Sequence, residues 1–141
     1  MEGLHLCIKS KVDSGAISGV NVGRDNLNVS HLCYADDAII ISEWNKESLS
    51  NTLLALNEFY RYSGLKLNVS KSHLFGIGIV DEILDSYVSE FGCSKGKFPF
   101  SYLGLPIGDN MSLVCKWKGF EDRFIKKLSG WKANLLSVGV D

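Results

Sequence analysis

No apolar run in this 141-residue chain approaches the roughly 20 residues that a membrane span requires. Nor is Met1 followed by the charged-then-apolar pattern of a secretory signal. A soluble, intracellular protein is the expectation, and without a dense Lys/Arg cluster the choice between nucleus and cytoplasm stays open. Cysteine is sparse and scattered: Cys7, Cys33, Cys93 and Cys115 form no C-x-x-C pair and match no His spacing. Neither a zinc finger nor a disulfide framework is supported, and buried free thiols are expected. There is no internal repeat, no low-complexity segment, and proline occurs only at Pro99 and Pro106. With 45 % apolar and 11 % aromatic residues, the chain can bury one sizeable core, so one compact domain, or a large piece of one, is expected.

A net charge of −1 conceals an asymmetry. Residues 1–90 carry seven Lys/Arg against twelve Asp/Glu, and residues 91–141 carry eight against four. An acidic part is joined to a basic part that can follow phosphates, although Lys and Arg also commonly just solvate a helix face.

Periodicity places the elements. A short helix near the start is followed by a strand and a turn at Asn26. From Asn45 to Gly64 the pattern is helical, with Leu49, Leu53, Leu56 and Tyr60 in a stripe, Leu54 and Phe59 beside it, Asn45 as N-cap and Gly64 as C′ residue. Gly64–Val69 alternates as a strand does, a polar turn follows, and a second strand covers Ser72–Ile79. Asp81–Phe91 is a helix stopped by Gly92, and Cys93–Lys97 is a basic loop. Two prolines and two glycines make Phe98–Gly108 a short strand or bent hairpin, with Pro106 excluding a central strand. The last element, about Ser112–Leu136, is a basic amphipathic helix with Ser129-Gly130 as a point of interruption. Trp117, Phe120, Phe124, Leu128, Trp131 and Leu135 mark its apolar face.

The chemistry concentrates at Tyr34-Ala35-Asp36-Asp37, between the apolar runs Val29–Cys33 and Ala38–Ile41. Both flanks read as strands, so the two carboxylates sit where a hairpin reverses. Charges this close repel by roughly 1 kcal/mol in water and more in a cleft. A divalent cation that prefers oxygen ligands, such as Mg2+, removes that repulsion. The plainer alternative is a solvated Asp-Asp turn.

Three signatures, in order, and a fourth segment after them resemble the reverse transcriptase of non-LTR, LINE-type retrotransposons, particularly those of plants. Ser30-His31-Leu32-Cys33-Tyr34-Ala35-Asp36-Asp37 is similar to the catalytic palm hairpin, and Gly64-Leu65-Lys66-Leu67-Asn68-Val69-Ser70-Lys71-Ser72 to the next palm motif. Phe100-Ser101-Tyr102-Leu103-Gly104-Leu105-Pro106-Ile107-Gly108 is similar to the hairpin that grips the primer, and Lys127-Leu128-Ser129-Gly130-Trp131-Lys132 to the start of the thumb. The resemblance implies an α+β fold: a partial polymerase palm over residues 1–108, a short antiparallel sheet with packed helices, then the helical start of the thumb over 109–141. It implies two-metal nucleotidyl transfer with Mg2+ on an RNA template and DNA primer, Asp36 as principal metal ligand and Asp37 as supporting ligand. Lys71 would stand near the departing pyrophosphate, where it neutralises charge or acts as general acid; otherwise it is a turn lysine in water. Tyr34 would pack beneath the primer terminus, or else sit in the core. Tyr102 belongs to the primer-gripping motif, whose Gly104 and Gly108 would admit primer phosphates close to the backbone. Lys116, Lys126, Lys127 and Lys132 would contact duplex phosphates without reading sequence.

The chain departs from that family in two respects. Palms use a third carboxylate from an earlier strand, in a Phe-x-x-x-Asp context, and only Glu2, Asp13 and Asp25 precede Asp36, none in that context. The segment that holds template and incoming nucleotide is absent too. The expectation is a C-terminal palm and thumb fragment without polymerase activity of its own, prone to self-association through an exposed sheet edge. The alternatives are a non-catalytic nucleic-acid-binding remnant or a pseudogene product.

Overall fold

The computed structural model describes residues 2–136, and for residues 131–136 the backbone alone. It is an α+β chain of four helices and eight short strands, dividing into two compact units, residues 1–68 and 69–141. The strands form four separate two-stranded ladders, three antiparallel and one parallel, rather than one sheet.

The first unit is built on α1 (Glu2–Asp13) and α2 (Lys46–Ser63). Leu4 and Ile8, one turn apart on α1, are buried with Ile17 and with Ala55 of α2. Helix α1 ends in a Schellman turn: Ala16 N–H donates to the Lys11 carbonyl, Gly15 N–H to that of Val12, and Gly15 takes a φ of 76°. Helix α2 starts as expected, with Asn45 accepting from Ser48 N–H at 2.6 Å, and Gly64 ends it in the left-handed region. Its buried face differs from the leucine stripe. Ser48 and Ala55 are the buried positions, while Leu49, Leu53 and Leu56 are half-buried and Tyr60 is exposed. Small residues let the helices approach closely, and Ser48 Oγ also accepts the backbone N–H of Ser18 at 3.3 Å. Asn51 donates to the Ala16 carbonyl at 2.7 Å, and Lys11 pairs with Glu58 at 3.0 Å.

Two hairpins complete this unit. Strands β1 (Val20–Val22) and β2 (Leu27–Val29) are joined by a turn in which Asn26 takes a φ of 49°. Strands β3 (His31–Tyr34) and β4 (Asp37–Ile40) pair in the register His31↔Ile40, Leu32↔Ile39, Cys33↔Ala38, Tyr34↔Asp37. Helix α1 meets β3 through two imidazoles: His5 Nδ1 lies 2.7 Å from His31 Nε2, and His31 Nδ1 lies 2.8 Å from Ser30 Oγ.

Where the first unit gives way to the second, the strand expected over Gly64–Val69 is not formed. Leu65 and Leu67 are exposed, and Val69–Lys71 is a turn of 3-10 helix. The strand expected over Ser72–Ile79 shrinks to β5 (His73–Leu74), which pairs in parallel with β6 (Ser94–Lys95), inside the segment expected to be a loop. Helix α3 (Asp81–Phe91) crosses between them, buries Leu84 and ends at Gly92 as expected. Lys95 pairs with Asp81 and Asp85, each at 3.0 Å. Helix α4 (Val114–Leu136) passes through Ser129-Gly130 without a break. All four thiols are free, but Cys7, Cys33 and Cys93 are only half-buried and Cys115 is exposed, so the expectation of buried thiols fails.

Burial, and then the neighbouring His5, hold His31 below its ordinary value of 6.5. The unfolded chain therefore takes up a proton at a higher pH than the folded one. The contribution of neutral His31 is complete above pH 6.5 and is lost as the pH falls through the folded value. Melting temperatures measured down a pH series should drop below pH 6.5, and His31→Gln should flatten that drop; an unchanged profile would refute the assignment.

Candidate active-site hairpin

The reversal between β3 and β4 uses two residues, Ala35 and Asp36. Ala35 takes a φ of 51°, the left-handed position that a tight hairpin demands, at a conformational cost of about 1–2 kcal/mol for a residue with a Cβ. Asp36 lies in the turn itself, whereas Asp37 is the first residue of β4 and pairs with Tyr34. Alternation then sorts the side chains. His31, Cys33, Ala38 and Ile40 share the face toward α1, and Leu32, Tyr34, Asp37 and Ile39 share the other. On that second face Leu32, Tyr34 and Asp37 are exposed, Tyr34 at 63 %, so Tyr34 is not a core residue here.

Among the described residues neither Asp36 nor Asp37 has an ion-pair partner, and their mutual repulsion is uncompensated. Hard carboxylate oxygens at an open turn fit Mg2+ in kind. They fall short in number, because no group of three or more His, Cys, Asp or Glu side chains converges among the described residues. The earlier carboxylates stand in other elements: Asp13 pairs with Lys9 at 2.9 Å at the end of α1, Glu2 is in the first turn of that helix, and Asp25 lies in the β1–β2 turn.

The second unit carries the other candidates. Lys71 ends the 3-10 turn and is exposed. Strands β7 (Phe100–Tyr102) and β8 (Leu105–Ile107) form the bent hairpin, with Pro106 opposite Ser101 and Tyr102 opposite Leu105. Leu103 (φ 52°) and Gly104 (φ 80°) make its tight turn. Gly108, at φ 81°, has a structural reason of its own: a Cβ there would fall on the Phe98 ring. That ring belongs to an aromatic cluster with Phe75 and Phe100, whose centroids lie 4.2 Å apart in a stack.

Two contacts along α4 were not legible in the spacing of its lysines. Arg123 donates from Nη2 to the Gly104 carbonyl at 2.6 Å and from Nε to that of Gly119 at 3.0 Å, which braces the turn of the β7–β8 hairpin against the helix. Lys116 is ion-paired with Asp109 at 3.0 Å. This contact pulls the carboxyl below and the ammonium above their ordinary values. Lys126 and Lys127 are exposed and have no acidic partner among the described residues. The side chain of Lys132 lies outside the described residues.

An α+β scaffold that presents adjacent carboxylates at a tight turn, followed by a braced hairpin and a basic helix, fits a partial palm of a nucleic-acid polymerase. A family model described as reverse transcriptase (RNA-dependent DNA polymerase) matches residues 9–112, most of the chain, and the chain belongs to that family. Proteins of this family work with divalent metal ions on a template and primer. Among the described residues no helix is long and apolar enough to cross a membrane.

Gly108→Ala should destabilise the fold by about 2 kcal/mol, from a left-handed backbone and a ring displaced together. A lowered urea midpoint at constant slope would show it, and a midpoint equal to that of the parent would refute the packing role.

Proposed function

We propose that this chain is a palm and thumb fragment of a retrotransposon reverse transcriptase of the non-LTR type, resembling those of plants, and that it does not polymerise DNA unaided. In this reading residues 1–108 are the partial palm and 109–141 the start of the thumb. The observation that carries it is the β3–β4 turn, which displays Asp36 and Asp37 uncompensated on an open hairpin, inside the stretch that matches the family.

In the proposed site Asp36 and Asp37 would hold Mg2+, which when bound lowers the pKa of a primer hydroxyl and stabilises departing pyrophosphate. The chain's own part is positional. Tyr34, on the same face of the ribbon as Asp37, offers its exposed ring as a support for a primer end. The β7–β8 hairpin, with Tyr102, Gly104 and Gly108, would hold the primer backbone, and Lys71 would face the phosphates of the leaving group. Lys126, Lys127 and Lys132 would follow the duplex. Lys116 contributes less, because Asp109 already neutralises it.

Inactivity alone follows from number. Two-metal chemistry needs more oxygen ligands than one hairpin supplies, and loss of a preorganised ligand removes stabilisation worth several kcal/mol at the transition state. Primer extension on an RNA template with Mg2+ should give no incorporation by the purified chain; incorporation that disappears in Asp36→Ala would overturn the proposal.

A non-catalytic nucleic-acid-binding remnant is the second reading, favoured by the unpartnered Lys126 and Lys127 on α4. Fluorescence anisotropy with a primer–template duplex should show salt-dependent binding. Lys126→Ala with Lys127→Ala should reduce the slope of log K against log salt by about 2, whereas Lys116→Ala should change it less. Equal effects of all three substitutions, or no salt dependence, would remove this reading.

A further inference from the structure

We propose that His5 and His31 form a binding site for a borderline-soft dication such as Zn2+, separate from the carboxylate hairpin. Two imidazole nitrogens, His5 Nδ1 on α1 and His31 Nε2 on β3, point at one another at 2.7 Å from elements 26 residues apart in sequence. Their rings are inclined at 46° with centroids 4.9 Å apart, so the two nitrogens converge on one point while the rings do not stack. His31 is oriented from its far side: Ser30 Oγ lies 2.8 Å from Nδ1. When Nδ1–H donates to that hydroxyl, Nε2 carries the bare lone pair that a metal takes, and an outer hydrogen bond of this kind is the usual companion of a metal-binding imidazole. Burial and the His5 neighbour also favour the neutral ring that ligation needs.

The pair opens on a cleft of about 590 Å3, whose lining includes His5, Ser30, His31 and Cys33, so a hydrated ion can reach it. In the metal-free state one proton bridges the two nitrogens. A tetrahedral ion with bonds of 2.0–2.1 Å would hold them about 3.3 Å apart, a parting of only about 0.6 Å from the present distance, and His5 would then carry its one ring proton on Nε2, so that both ligands stay neutral. No third His, Cys, Asp or Glu completes the set among the described residues, so water fills the remaining positions. Mg2+ does not compete, because it selects oxygen donors. Since the two ligands belong to α1 and β3, the bound ion fastens the helix to the inner face of the carboxylate hairpin, and binding stabilises the fold.

The test is calorimetric titration of Zn2+ into untagged, reduced protein, with Mg2+ in excess to occupy carboxylates. One ion per chain is expected, accompanied by a rise in melting temperature. His5→Asn and His31→Asn should each weaken binding by at least about tenfold, and Ser30→Ala by about tenfold through loss of orientation. His73→Asn, which alters the remaining histidine, and Asp36→Ala with Asp37→Ala should leave it unchanged. Should either histidine variant fail to fold, protection of His5 and His31 in the parent chain from diethyl pyrocarbonate by Zn2+, mapped by mass spectrometry, decides the matter. Absence of binding, binding that survives His5→Asn, as ligation by the free thiols would, or loss on altering the carboxylates would overturn the site. None of these outcomes bears on polymerase function, which the primer-extension assay tests on its own.

Discussion

The period-two alternation of the β3–β4 ribbon is the constraint on which the candidate site rests. A strand cannot turn two successive side chains to the same face. His31 and Cys33 therefore lean on α1, and Leu32 and Tyr34 look outward, with Asp37 on the outward face through its pairing with Tyr34. A slip of one residue in the pairing would either put the carboxylate against the helix or leave the imidazole outside. What prevents the slip is the two-residue turn at one end and the His5–His31–Ser30 chain of contacts at the other. The turn exacts the left-handed conformation of Ala35, and the contact of His5 on α1 with His31 helps hold the ribbon that carries it.

Local chemistry was legible in the sequence; distant pairing was not. Asn45, Gly64 and Gly92 announce helix ends because a cap is satisfied within a few residues of itself. The carboxylate hairpin was legible for the same reason, since a tight turn between two alternating runs carries its own register. The stretch Gly64–Val69 alternates just as well and is not a strand. A strand also needs a partner for its N–H and C=O groups, and no partner lies within its own sequence window. At Ser129-Gly130 the error has the opposite sign: one glycine costs a helix only about 1 kcal/mol, less than the surrounding helix formers recover.

Contacts that set the site's electrostatics join residues far apart. Arg123 meets Gly104 across 19 positions, and nothing in the spacing of the basic residues distinguishes it from its neighbours. Bonding to neutral carbonyls leaves the guanidinium its full charge beside the β7–β8 turn, whereas bonding to a carboxylate cancels the charge of Lys116. Counting lysines on a helical wheel treats these two cations as equals. Their partners make them opposites: one is a positive charge held in place, the other half of a neutral pair.

Charge left over after pairing is the better guide to what each unit can meet. Among the described residues, the carboxylates without an ion-pair partner on the first unit include Asp36 and Asp37, and the cations without one on the second include Arg123, Lys126 and Lys127 along α4. In the proposed reading a cation of high charge density would answer the first and a polyanion the second. These are the two components that nucleotidyl transfer brings together, metal and nucleic-acid backbone. In the proposed reading Asp36 and Asp37 would receive the first and Lys126 and Lys127 the second, and none of the four has an ion-pair partner among the described residues of a chain that belongs to this family.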